Sequence, residues 1–98
     1  MDEKEINLPV LYEHCDTKTR KLVREQYAKL QNNCCWYCNA LLSDKPSSEI
    51  MKLYIDRSLF PKNFFKWPIH LHHDHDTGLT IGAVHNRCNA ILWQYHGQ

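Results

Sequence analysis

No run of about 20 consecutive apolar residues occurs in this chain of 98, so no segment of it reads as a membrane-spanning helix. The opening Met1-Asp2-Glu3-Lys4-Glu5 is acidic and lacks the apolar stretch of a secretory signal, which predicts a cytoplasmic protein. Internal repeats, low-complexity tracts and flexible linkers are missing as well, and the length suits a single domain. A net charge of +1 means that the molecule as a whole is not strongly basic, which leaves local patches as the route to phosphates. A chain this short buries a modest core, so an added staple is expected. In a reducing compartment the five cysteines read as thiols or metal ligands rather than as a disulfide framework.

What the chain does have is unevenly placed. Residues 17–29 carry Lys18, Arg20, Lys21, Arg24 and Lys29 against one acid, Glu25. Residues 57–67 mix Arg57, Lys62 and Lys66 with Phe60, Phe64, Phe65 and Trp67. Such patches suit nucleic-acid phosphates, although a solvated helix face accounts for the first run equally well. Seven histidines are present, four of them (His70, His72, His73, His75) within six residues, a density that points to metal or proton chemistry.

Periodicity predicts an α+β domain. Residues 1–15 read as an arm or loop. Asp16 or Thr17 caps a helix to about Leu30, with Val23, Tyr27 and Leu30 facing the core, and Gln31-Asn32-Asn33 stops it. Ser47 caps a second helix from Ser48 to about Leu59, with Ile50, Leu53 and Tyr54 on one side. A loop between Pro61 and Pro68 follows. Ile69 to His73 alternates as a strand, Asp76-Thr77-Gly78 turns it, and Leu79 to Val84 returns. A last helix starts at Asn86 or Asn89, offers Ala90, Ile91, Trp93 and Tyr95 for packing, and closes at Gly97.

Cys35-x-x-Cys38 and His85-x-x-Cys88 are two knuckles, each able to supply half of a tetrahedral zinc site. Together they predict a structural Zn²⁺ on Cys35, Cys38, His85 and Cys88. Cys34 in place of Cys35, or Cys15 with His14 in place of His85, are the alternatives. A redox role for Cys35 and Cys38 lacks the βαβ surroundings it needs. Along the strand, His72 and His73 point to opposite faces unless the strand ends there, which suits a division between metal ligation and proton transfer.

The stretch His70 to Asn89, HLHHDHDTGLTIGAVHNRCN, together with Cys35-Trp36-Tyr37-Cys38, resembles the HNH endonucleases of the His-Me finger superfamily, most of all the phage recombination endonuclease VII type. The resemblance is close over residues 70–89 and loose over 17–92. It implies a zinc-stapled ββα-metal core (69–98, with the second knuckle), a first knuckle at 34–45, an N-terminal arm and helix at 1–33 and a helical or loop insertion at 46–68. It also implies His73 as the general base, His72 and Asn89 as ligands of a catalytic divalent ion, and His75 near that ion or the phosphate. Three positions depart from the pattern: His72 stands where Asp is usual, His85 where Cys is usual, and Ile81 where a basic residue often precedes the glycine. His96 shares a helix face with Asn89 and reads first as a surface histidine.

The function so implied is metal-dependent hydrolysis of DNA phosphodiester bonds, leaving 5′-phosphate and 3′-hydroxyl ends. Arg20, Lys21, Arg24, Lys62 and Lys66 are the candidate phosphate contacts. A His–Asn ligand pair predicts Mn²⁺, Co²⁺ or Ni²⁺ as better catalytic ions than Mg²⁺, which prefers oxygen; a preference for Mg²⁺ would point to Asp74 or Asp76 instead. A junction-resolving role would favour a homodimer, and the resemblance implies a bacterial or phage-infected host cell. A non-catalytic zinc-knuckle DNA-binding module explains the cysteines and basic residues but not His72, His73, His75 and Asn89. A zinc-stapled protein-interaction domain explains less still.

Overall fold

The computed structural model describes residues 6–97; the acidic segment 1–5 and Gln98 lie outside the described residues. The first helix, α1, spans Thr17–Leu30. Asp16 starts it as expected, its carboxylate accepting the Thr19 N–H at 2.8 Å, and this hydrogen bond is the first cause of the lowered Asp16 pKa. Asn32 and Asn33, both in the left-handed region, end it. Val23 is fully buried and Tyr27 half-buried, but Leu30 is 68 % exposed and does not join the predicted core face. A polar clamp anchors that end of α1 instead: the Gln31 amide donates to Cys34 O and Ala83 O and accepts from the Ala83 N–H.

Two strands, β1 (Ile69–His73) and β2 (Thr80–His85), pair antiparallel, with a bulge between His72 and His73. Leu79, predicted to begin the return strand, instead bridges to Leu11. The turn between the strands is tied by Asp74, whose carboxylate accepts from the Asp76 and Thr77 N–H groups, and Gly78 supplies a φ of +80°. The described part of the segment read as an arm or loop, residues 6–15, is docked here. Tyr12 N–H donates to Gly78 O and Thr80 N–H to Val10 O, at 2.8 and 2.9 Å.

Helix α2 runs only over Ser48–Met51, not to Leu59 as the apolar spacing suggested. Arg87 holds the end where it stops: its guanidinium donates to the carbonyls of Ile50, Met51 and Leu53, which have few helical partners there. Ile50 is buried, whereas Leu53 and Tyr54 stay exposed. A separate 3-10 turn at Arg57–Leu59 is capped by Asp56. Ser47 occupies the cap position of α2 without making a side-chain cap bond.

Helix α3 (Asn86–His96) follows β2 directly and ends at Gly97 with φ +70°. Ala90, Ile91 and Leu92 are buried, while Trp93 and Tyr95, expected to pack, remain about half exposed. The core gathers Ala83 and Val84 from β2, Cys88, Ala90 and Ile91 from α3, Cys35 and Leu42 from the knuckle, and Ile50 and Ile55 from the insertion. The fold is thus α+β, a two-stranded sheet among helices, with its core between hairpin, α3 and knuckle. Among the described residues no helix is long and apolar enough to cross a membrane.

Candidate metal centre and catalytic cleft

The two knuckles meet. One ligand atom each from Cys35, Cys38, His85 and Cys88 all lie within 4.8 Å of one another, and three of the four residues are buried. Cys38 Sγ and Cys88 Sγ stand 3.5 and 3.7 Å from His85 Nδ1. Zinc bonds of about 2.3 Å to sulfur and 2.0–2.1 Å to nitrogen imply tetrahedral S···N edges of roughly 3.5 Å, so the cluster has the dimensions of a metal site. His85 is oriented for the task. Its Nε2 lies 2.9 Å from the Leu41 carbonyl, which can only accept, so the proton sits on Nε2 and Nδ1 turns its lone pair to the sulfurs. The first knuckle closes through Cys35 N–H to Ala40 O and Asn39 N–H to Cys35 O, with Asn39 at φ +68°. The Cys88 thiol donating to Cys35 is the first cause of the Cys35 pKa falling to about 4, and the same contact pushes Cys88 up. Cys35 is therefore a ready thiolate, the form that ligates. Cys15, Cys34 and His14, the alternative ligands, are outside the cluster; Cys15 and Cys34 point their thiols at the Leu11 and Asn32 carbonyls.

Across the hairpin from this closed cluster lies an open cleft of about 1480 Å³. Lys18, Arg20, Lys21 and Arg24 of α1 form one wall, and Phe64 and Trp67 stand on the other. Asn86 secures that second wall, its amide donating to Phe65 O and Trp67 O. His70, His73 and His75 line the cleft with Asn89 and Trp93 from α3.

His73 ends β1 opposite the bulge in which β2 carries Ile81 unpaired, and it is half-buried at the cleft. Tyr12 lies flat on it, ring centroids 4.0 Å apart and planes 11° from parallel. Tyr12 is itself covered by Arg20, whose guanidinium carbon is 3.9 Å from the ring centroid and whose Nη2 donates to Tyr12 O. On the other side His75 approaches His73 at 4.8 Å and rests on Trp93 at 4.5 Å. Burial first, then the neighbouring His75, His72 and Arg20, hold the His73 pKa below 6.5, so the ring is neutral at physiological pH and able to take a proton.

The two predicted ligands sit in different surroundings, Asn89 on the cleft and His72 buried. His72 is 1 % exposed, packs 5.5 Å from the Trp36 ring and does not line the cleft. The histidine that meets Asn89 is His70, whose Nδ1 accepts from Asn89 Nδ2 at 3.1 Å. Burial lowers the His70 pKa, opposed by backbone hydrogen bonding at Phe64, so this ring too favours its neutral form. Of the five candidate phosphate contacts, Arg20, Lys21 and Arg24 line the cleft, whereas Lys62 and Lys66 do not; Lys66 lies over the Trp67 ring at 5.2 Å. His96 bonds Tyr37 Oη at 3.1 Å, away from Asn89. Tyr12 and Arg87 were missed as positioning residues because their partners lie far off in sequence, with no spacing to announce them.

No family model, curated protein or solved structure matches the chain. The site therefore has to be read from its own chemistry.

Proposed function

We propose that this protein is a metal-dependent DNA endonuclease of the HNH, ββα-metal kind, with Zn²⁺ as the structural ion at Cys35, Cys38, His85 and Cys88. One observation carries the reading: a single cleft collects a half-buried neutral imidazole at His73, a His70–Asn89 pair and a basic helix wall. The hairpin and helix that frame it are joined through the metal cluster, since His85 ends β2 and Cys88 lies in the first turn of α3. Three sulfurs and one nitrogen within 4.8 Å of one another favour zinc among common ions.

In this reading His73 removes a proton from the attacking water, with Tyr12 and His75 holding the ring in place. Lys21 and Arg24 bind the flanking phosphates. A divalent ion bound at Asn89 and His70 would stabilise the charge that develops on the phosphate and the leaving oxygen. The donor set suits such an ion: Asn89 carries an amide oxygen, and the His70 ring, kept neutral by burial, has an Nδ1 lone pair that now accepts from Asn89 Nδ2 and would turn to the ion in place of that hydrogen bond. Cleavage would leave a 5′-phosphate and a 3′-hydroxyl.

The test is nicking of supercoiled plasmid by zinc-loaded protein with and without added Mn²⁺ or Mg²⁺, alongside His73→Ala. Nicking that needs the added ion and disappears with His73→Ala supports the proposal. DNA binding without any nicking overturns it in favour of a zinc-knuckle binding module.

A further inference from the structure

The two walls of the cleft differ in kind. On α1, Lys18, Lys21 and Arg24 face in, and Glu13 is the one acid among the described residues that line the cleft. Two indoles that the core does not use line the same cleft: Trp67 is 63 % exposed and Trp93 48 %. Each is steadied on its surface, Trp67 by the Lys66 ammonium and by the Asn86 amide on its carbonyl, Trp93 by the His75 ring at 4.5 Å. Exposed indoles held in place in a groove lined by cations form the pattern that tracks a single nucleic-acid strand, phosphates on the cations and bases stacked on the rings.

Pairing decides which nucleic acid can use both walls. Inside a duplex each base already stacks on its neighbours and shows only an edge, so an indole gains nothing from it without unstacking. We propose that this cleft binds unpaired nucleotides, with phosphates along Lys18, Lys21 and Arg24 and bases on Trp67 and Trp93. The substrate class is thus a single-stranded segment, whether free or in the open part of a branched molecule. The inference rests on the nuclease reading of the same cleft, but it concerns binding and is tested without cleavage.

The experiment is fluorescence anisotropy of a labelled single-stranded oligonucleotide and of its blunt duplex, with zinc-loaded protein and no other divalent ion. The single strand should bind more tightly, and Trp67→Ala should weaken that binding by roughly 5-fold or more, the least that one lost base–aromatic stack costs. Duplex binding should be unchanged by Trp67→Ala and should depend on salt alone. Trp67→Phe, which keeps a stacking face, should restore most of the single-strand affinity. A duplex bound as tightly as the single strand, or single-strand affinity untouched by Trp67→Ala, overturns the inference. If the single strand binds as expected but neither it nor plasmid is cut once Mn²⁺ is added, the nuclease reading falls and the strand-binding site stands.

Discussion

The knuckle cluster and the cleft draw on overlapping chemistry, cysteine and histidine in one, histidine and asparagine in the other, yet they are built in opposite ways. In the cluster the four ligand atoms converge within 4.8 Å, and the Leu41 carbonyl aims the histidine at the sulfurs. All four donors face each other and leave no room for a substrate. In the cleft the rings are spread along a groove, half-buried and steadied by stacking rather than by convergence. Closed four-ligand sites fasten folds, whereas sites with an open position do chemistry. The contrast predicts that damage to the cluster costs the fold and damage to the cleft costs activity alone.

The largest effect should come from the cluster. Cys88→Ser removes a ligand that is also fully buried core. Structural zinc binds with an apparent ~10–16 kcal/mol, as much as the ~5–15 kcal/mol of a whole domain's stability. The variant should therefore lose zinc and its cooperative thermal transition together, read by elemental analysis and circular dichroism. Folded protein without zinc would erase the distinction between the two regions.

His73→Ala is the counterpart. It should lower cleavage by at least ~10²-fold, the lower end of what a positioned base contributes, while zinc content and melting temperature stay near wild type. Near-normal cleavage would move the base elsewhere in the cleft.

Next come His70 and His72, which separate cleft from core within one strand. His70→Ala should raise the Mn²⁺ concentration needed for half-maximal cleavage by about tenfold or more, since even outer-shell partners of metal sites are worth ~10–100-fold. Mn²⁺ binding measured calorimetrically on the uncleaved complex should weaken in parallel. His72→Ala should lower the melting temperature, because it empties a buried position beside Trp36, and leave the Mn²⁺ requirement alone. The reverse result would return the ligand role to His72.

These differences also explain what could be read in advance. A two-residue spacer is a local geometric unit, so Cys35, Cys38, His85 and Cys88 were legible from spacing alone, as were the hairpin, its Asp-Thr-Gly turn and the Asp16 cap. The division between His70 and His72 was not. It depends on how Trp36 from the knuckle covers the strand, and that packing leaves no trace in the HLHH pattern. Tyr12 was invisible for a similar reason: the segment around it is fixed by hydrogen bonds to Gly78 and Thr80, far away in sequence. The length of α2 was misjudged because Leu53 and Tyr54, which suggested a longer apolar face, stay exposed, and the carbonyls at its end are held by Arg87 from another element.

The smallest effect should be on pH dependence, and it asks whether burial or charge tunes His73. Its pKa lies below 6.5, so the acid limb of kcat/KM should fall below pH 6.5: the neutral base persists as pH drops and is lost only when the ring protonates. Burial is the first cause, ahead of the positive neighbours His75, His72 and Arg20, with Glu13 acting in the opposite sense. Tyr12→Ala exposes one face of the imidazole and should move the limb up toward pH 6.5, with a drop in kcat as the ring loses its stacking partner. Tyr12→Phe keeps the stack and should leave both unchanged. Arg20→Gln removes one repelling charge but also the cover on Tyr12, so it should shift the limb in the same direction by less. A limb that moves more for Arg20→Gln than for Tyr12→Ala would make charge the dominant cause. It would also mean that the cleft, unlike the buried cluster, is tuned from its solvent-facing wall.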